Sequence, residues 1–439
     1  MDDAIVRESE ALLAIWNGEG IRRGQFFGHV MQVAETLPKG PCVMNLCDDR
    51  YVFTVVLVAS AVCGKTNLLP PNRANAVIEE IAREYGNPCA VVDREDFDCP
   101  VEKFVVRLEP GSDRTACLPA IDPEHVAVTA FTSGSTGRPI GHPKAWTVFA
   151  KSAQMALKRL DLARYAFCVV ATTPPQHMFG LETSVFWPLF SHLVLTGDRP
   201  FFPEDIRRAL AGAPLPSLLV STPTHLKACT ASGGEWRNVA LALCSTAPLT
   251  AALAARVESL FPAPLWEIFG STETLSYASR RTAKSSRWQL YDGALLRPDR
   301  EGFVLHSPHL DQPTPLEDVF KLLENHCFSV SGRSTDIVKV AGKRCSMQEL
   351  NHRLNGIDGV TDGYFFTAEV NGTGCRVGAL VVTHLSRENI LNNLKKSIDE
   401  VFLPRPLHIV DKIPRNEVDK LVKSELDRLL EELKVERAF

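Results

Sequence analysis

Residues 131–144 read FTSGSTGRPIGHPK, a run in which six consecutive Gly, Ser and Thr residues follow the apolar stretch VAVTAF. A strand that opens into such a loop presents backbone N–H groups and hydroxyls to one point, an arrangement that wraps anionic oxygens, and its natural ligand is a polyphosphate. A solvated Ser/Gly turn has the same composition, so this piece alone does not decide. Its cations are also unusual: Ile140 follows the loop proline, Arg138 precedes it, and the first lysine, Lys144, comes four residues after Ile140.

Further fragments that could do chemistry follow in order: HMFG (177–180), STAPL (245–249), EIFGSTET (267–274), GRSTDIVK (332–339) and PRNEVDK (414–420). Glu273, after a Gly-Ser-Thr turn, suits a hard cation that takes carboxylate and phosphate oxygens. The alternative for Glu273 is a surface carboxylate, for His177 a satisfied core histidine, and for Lys420 a solvated lysine at the start of a charged helix. Together and in this order, the fragments resemble the adenylate-forming superfamily of acyl-CoA synthetases, aryl-CoA ligases, nonribosomal-peptide adenylation domains and luciferases. The resemblance runs from about residue 125 to 426.

Carried over residue by residue, the resemblance implies that Thr132, Ser133, Gly134, Ser135, Thr136 and Gly137 hold the β- and γ-phosphates of ATP. Thr272 would touch the α-phosphate and Glu273 would bind Mg2+. Ser245, Ala247 and Pro248 would lie against adenine, with Phe269 and Gly270 in the same nucleotide site. Asp318, in PLEDVFKL where relatives usually spell TGD, or Glu317 beside it, would accept from the ribose hydroxyls, and Arg333 would reach ribose or phosphate. His177 would gate the carboxylate pocket. Lys420 would bridge substrate carboxylate and α-phosphate as charge shifts onto leaving pyrophosphate. Gly342, in VAGKRCS, would let backbone approach a pantetheine arm. Where relatives commonly carry a lysine after the loop proline, this chain has Ile140, and either Lys144 folds back to the phosphates or His142 and the loop amides act alone. STAP stands for the more usual GGAP, Asp419 for the glycine before the lysine, and Thr335 for Asp or Lys at the hinge.

These residues need elements to position them. Apolar β-rich runs recur at 42–46, 126–131, 167–172, 192–197 and 217–222, with helical periodicity between them in AVIEEIAREYG and FAKSAQMALKRLDL. That alternation predicts parallel sheets covered by helices. The expected fold is α/β: a large N-terminal domain of two α/β sheet subdomains plus a small β-barrel-like subdomain, followed by a small α+β C-terminal lid. The expected boundaries are 1–332 for the adenylation core and 333–439 for a mobile C-terminal domain. Val422, Leu426, Leu429, Leu430 and Leu433 share one face of the last helix. ASAVCGKT (59–66) lacks the first glycine of a phosphate loop and reads as the end of a buried helix.

The net charge of −4 offers no overall basic field for nucleic acid. The apolar run Val52–Gly64 is too short to span a bilayer. Twelve cysteines without a CxxC pair, behind the acidic start MDDAIVRESE, lead us to expect reduced thiols and a cytoplasmic location. The implied activity is an AMP-forming acid–thiol ligase. NLCDDRYVF and NLLPPNR look like the short ligases of aryl-polyene and xanthomonadin assembly, which implies a hydroxybenzoate-type acid passed to an acyl carrier protein. Coenzyme A as acceptor, and a non-catalytic nucleotide-binding relative, are the two alternatives. Phe179, Phe186 and Trp187 are the expected pocket walls, and the basic run Arg280, Arg281, Lys284 and Arg287 is a candidate face for an acidic carrier, with a solvated loop as the other reading.

Overall fold

The protein is seen here in a computed structural model that describes residues 10–109, 118–133, 138–300, 302–333, 337–340, 343–370, 374–416 and 421–433, with Ser133, Ser331, Arg333, Ile337, Lys339, Arg344, Glu369, Val370, Gly374 and Cys375 described in backbone only. Gly134, Ser135, Thr136, Gly137, Thr335, Gly342 and Lys420 lie outside the described residues.

The sequence RYVFTVVLVASAV is apolar on every side, which a helix can satisfy only by being enclosed. It forms the helix Arg50–Val62, whose residues from Arg50 to Ala61 are all buried. Asp49 caps it, accepting from the Val52 amide at 2.9 Å. The helix sits between two sheets, because its core cluster draws Val43, Leu69 and Val128 from one and Leu13, Leu195 and Leu275 from the other. ASAVCGKT is therefore the end of this helix, a turn and the start of the strand Thr66–Leu69, and not a phosphate loop.

The first sheet is six-stranded, in the order 103–105, 90–92, 42–45, 66–69, 126–133, 139–145. Its pairs are parallel except the last, where Val126–Ser133 and Pro139–Ala145 form an antiparallel hairpin. The second sheet is eleven-stranded, with a parallel centre from Leu265–Ser271 through 239–244, 217–221, 168–171 and 194–196 to Leu12–Trp16. Its central strands are buried on both faces, hence their unbroken apolar runs. Helices Pro203–Gly212, Pro223–Ser232 and Ala251–Leu260 cover one face through Leu210, Leu226 and Val257, which pack on Leu219, Ala242 and Leu265. Helix Trp146–Arg159 covers the other through Ala153, Ala156 and Leu157. The N-terminal strands at 12–16 and 19–22 complete an edge of this sheet, which periodicity did not reveal.

A three-stranded antiparallel sheet, 295–299, 302–306 and 314–316, forms the small β unit. Beyond it, strands 360–370, 374–383 and 407–409 pair in one sheet, and the helices Met347–Asn355 and Arg387–Leu394 pack on it around Phe365, Val377 and Ile390. In the last helix, Lys423–Glu432, Leu426 and Leu430 are buried against Phe366 and Leu380, with Leu429 and Leu433 beside them. The α/β body with a small α+β C-terminal part is the architecture the sequence led us to expect.

Candidate active site

The motif loops leave the C-terminal ends of the parallel strands, the edge where open α/β sheets bind ligands. His177 follows Cys168–Ala171, Ser245 follows Val239–Cys244, and Thr272 follows Leu265–Ser271. The Thr132 hairpin reaches the same place from the six-stranded sheet.

In that hairpin Thr132 pairs with Ile140, Ala130 with His142 and Val128 with Lys144. Side chains alternate across a strand, so Ile140, His142 and Lys144 share one face. His142 Nε2 lies 2.9 Å from the Thr132 hydroxyl and 3.5 Å from Glu273 Oε1, joining the two sheets. Burial and the charge of Lys144 oppose protonation of His142, with Glu273 favouring it, and the net shift is downward. Burial also lowers the pKa of Lys144, while Glu273 and Asp311 support its charge. Burial works against the Glu273 carboxylate, but the Ser271 hydroxyl, the local backbone, His142 and Lys144 outweigh it and hold the group below its ordinary pKa. The result is a half-exposed, ionised carboxylate beside a hydroxyl-bearing hairpin.

The turn carrying Thr272 and Glu273 is tightly specified. A Cβ on Gly270 would lie 2.0 Å from the Leu275 carbonyl oxygen, so only glycine permits this approach. The Thr274 hydroxyl accepts from the Ser271 amide at 3.0 Å and donates to the Leu275 carbonyl at 2.9 Å. His309 Nε2 lies 2.7 Å from the Thr274 carbonyl oxygen and its Nδ1 2.9 Å from the Ser307 hydroxyl. Burial depresses the His309 pKa to about 4. The ring is therefore neutral, with the Nε2 proton donated to Thr274.

In the STAPL loop, the Ser245 hydroxyl donates to the Ile268 carbonyl at 3.1 Å. Ala247 is half-buried and Pro248 exposed. Thr246 stands where the usual motif has glycine, and it keeps the left-handed backbone, at φ +83°. Its hydroxyl is buried without a partner among the described residues. Phe269 packs among Tyr277, Trp288, Phe320 and Phe328. Asp318 is half-buried and Glu317 exposed. Burial raises the Tyr277 pKa, and the negative charge of Asp318 adds to the shift, which sets Asp318 at this end of the sheet. Asp318 and Arg333 are paired across neighbouring strands.

His177 lines a cavity of about 100 Å3 with Asn45, Asn72, Arg73, Gln176 and Asn416 among its walls. Asn416, the third residue of PRNEVDK, therefore shares this cavity with His177. Behind them Glu182, in the π-helical turn Glu182–Phe186, is wholly buried. It accepts from the Ser152 hydroxyl at 3.1 Å, the Ser276 amide at 3.1 Å and the Ser276 hydroxyl.

Two expectations need correction. Phe186 and Trp187 are completely buried, Phe186 stacking on Phe149 at 3.8 Å, so they are core and not pocket walls. Arg280 is bound to Glu267 and lies over Trp288, and Arg281 is bidentate to Glu258, so half of the basic run is engaged internally and only Lys284 and Arg287 face solvent. His309, Glu182 and Asn416 were not singled out from sequence. Their relevance depends on partners 35, 94 and more than 200 residues away; no local motif marks His309 or Glu182, and Asn416 falls in PRNEVDK, where attention went to Lys420.

The model of the AMP-binding enzyme family matches residues 42–298. The chain belongs to that family. Among solved structures, it is similar to ATP-bound MatB from Rhodopseudomonas palustris, at 17% identity over 98% of this chain and 97% of that one, with a TM-score of 0.82. It is also similar to o-succinylbenzoate CoA synthetase, MenE, from Bacillus subtilis in complex with its acyl-adenylate OSB-AMP, at 15% identity over 96% of each chain and a TM-score of 0.81. The anthranilate CoA ligase AuaEII in complex with anthranoyl-AMP gives 16% identity over 98% and 97%, with a TM-score of 0.83. Among curated protein sequences there is no significant match.

AMP-binding family ligases use ATP with Mg2+, and the residues present suit both. No group of three or more His, Cys, Asp or Glu able to hold a metal occurs among the described residues. Mg2+ bound to a nucleotide needs only one or two carboxylates besides phosphate oxygens and water, and the ionised Glu273 meets that need. No described helix is long and apolar enough to cross a membrane.

Proposed function

We propose that this AMP-binding family member is an acid–thiol ligase that adenylates a small aromatic acid of the hydroxybenzoate class and passes the acyl group to a pantetheine thiol. One observation carries the reading: Glu273 and the Thr132 hairpin, from different sheets, meet through His142 at the strand ends where His177 and Thr272 also lie.

In the first step the substrate carboxylate oxygen attacks the α-phosphorus of ATP and pyrophosphate leaves. Thr132, Ser133 and the Gly134–Gly137 loop would hold the β- and γ-phosphates, and Thr272 the α-phosphate. Glu273 would hold Mg2+, which would supply positive charge to the triphosphate. Ser245, Ala247, Pro248, Phe269 and Gly270 would bound the adenine, and Asp318, better enclosed than Glu317, would take the ribose hydroxyls with Arg333 near. Lys420 would stabilise the charge moving onto pyrophosphate. The position of Asn416 beside His177 supports an approach of Lys420 from this side. In the second step the thiol sulfur attacks the acyl carbon, AMP leaves and the thiol proton passes to solvent. The C-terminal part, from residue 333, would turn about Thr335 between the steps and bring Gly342 to the pantetheine arm.

The polar walls of the cavity at His177 support an acid with a polar substituent, and the anthranilate and succinylbenzoate ligases among the structural neighbours support an aromatic one. The same two neighbours are CoA enzymes by name, and the internal pairing of Arg280 and Arg281 weakens the case for a carrier face. Coenzyme A is therefore the favoured acceptor, and an acyl carrier protein the competing one. A panel of aromatic and aliphatic acids with ATP, scored for pyrophosphate, AMP and thioester on CoA or a holo carrier protein, tests this. Acid-dependent pyrophosphate and a CoA thioester are expected, both lost in Lys420→Ala. ATP binding without pyrophosphate for any acid would point to the non-catalytic relative instead.

A further inference from the structure

The hairpin lacks the cation that a triphosphate needs at its tip. Arg138 is 86% exposed and lies 3.9 Å from Glu80. Lys144 is four residues along the strand from Ile140, about 13 Å at roughly 3.3 Å per residue, and its charge is supported by Glu273 and Asp311. His142 is only half as far back, on the same face. Its side chain is 16% exposed, between the Thr132 hydroxyl and the Glu273 carboxylate. Thr132 belongs to the phosphate hairpin and Glu273 to the metal turn, so His142 stands where β- and γ-phosphate oxygens and their Mg2+ would come together.

We propose that His142 stands in for the missing lysine, donating from its imidazole to the terminal phosphate oxygens of ATP and, through Glu273, setting the metal carboxylate against the hairpin. The inference rests on the nucleotide reading above and names a residue that reading leaves open. Lys144 acts one step back, sustaining the negative charge of Glu273. The device also accounts for the tolerance of Ile140, 49% exposed, at a position where a cation is expected.

The contact is to phosphates that ATP has and AMP lacks, and this makes it measurable by binding alone. Calorimetric titration of H142A with ATP and Mg2+ should show an affinity about 10- to 100-fold below the unsubstituted protein, the range of a hydrogen bond to a charged group. Affinity for AMP should be unchanged. H142Q, which keeps a neutral donor, should fall between. Adding I140K to H142A should restore ATP affinity by returning a cation to the tip, and that rescue also shows that the variant folds. Unchanged ATP affinity in H142A, an equal loss for AMP, or no rescue by I140K would overturn the assignment of His142 alone. Failure of the unsubstituted protein to bind either nucleotide would overturn the nucleotide reading and this inference together.

Discussion

Thr246 shows how one residue records the demands of the site. A β-branched side chain at φ +83° carries backbone strain of about 1–3 kcal/mol, and its buried hydroxyl has no partner among the described residues. Both costs fall in the STAPL loop, proposed to bound the adenine, where the usual motif uses glycine. Replacing Thr246 with Gly relieves the strain, offset in part by the greater freedom of glycine in the unfolded chain. The expected gain in unfolding free energy is about 1 kcal/mol, read from the urea midpoint at constant slope. A loss of stability instead would mean that the hydroxyl or methyl makes a contact outweighing the backbone term.

At the scale of elements, the π-helical turn Glu182–Phe186 places a buried carboxylate in the interior, bonded to Ser152 of one helix and Ser276 of the strand beyond the Glu273 turn. Single π turns inside helices are often found at functional sites, and here the turn ties the His177 segment to the Glu273 segment. Burial raises the Glu182 pKa, despite the hydrogen bonds from Ser276 and Ser152. Between the ordinary glutamate value and the raised one, the folded state keeps a proton that the unfolded state has released. Stability therefore falls as pH rises through that window. The variant Glu182→Gln lacks this term, so the wild-type protein should lose stability relative to it as pH increases from about 4.3 upward. Parallel denaturation curves across that range test the sign, and a flat difference would remove Glu182 as a titrating group.

Across the whole molecule, the C-terminal part is held against the large sheet's helices by identifiable contacts. Lys227 donates to the carbonyls of Val360 and Thr361, and Arg256 lies 4.0 Å from Asp358. These contacts are made in the arrangement that sets Asn416 beside His177. If that arrangement serves adenylation, Lys227→Met should slow acid-dependent pyrophosphate release several-fold while sparing thioester formation from preformed acyl-adenylate. Equal slowing of both steps would assign Lys227 to general stability. The comparison needs the two half-reactions measured separately on the full chain.

Sequence alone determined the features whose causes are local. The Gly270 turn, the buried apolar element beginning near Val52 and the leucine face of the last helix each follow from what neighbouring residues permit the backbone to do. Those signals sufficed for the α/β class and for the order of the motif loops, and they correctly set aside ASAVCGKT. Only the tertiary structure decided which aromatic residues are core, since Phe186 and Phe149 meet through packing that no spacing encodes. It likewise spent Arg280 and Arg281 on Glu267 and Glu258, and it brought His142 to Glu273 across 131 residues. A local rule constrains dihedral angles, whereas a site is made of side chains from separate strands, and their meeting depends on how two sheets close on one helix.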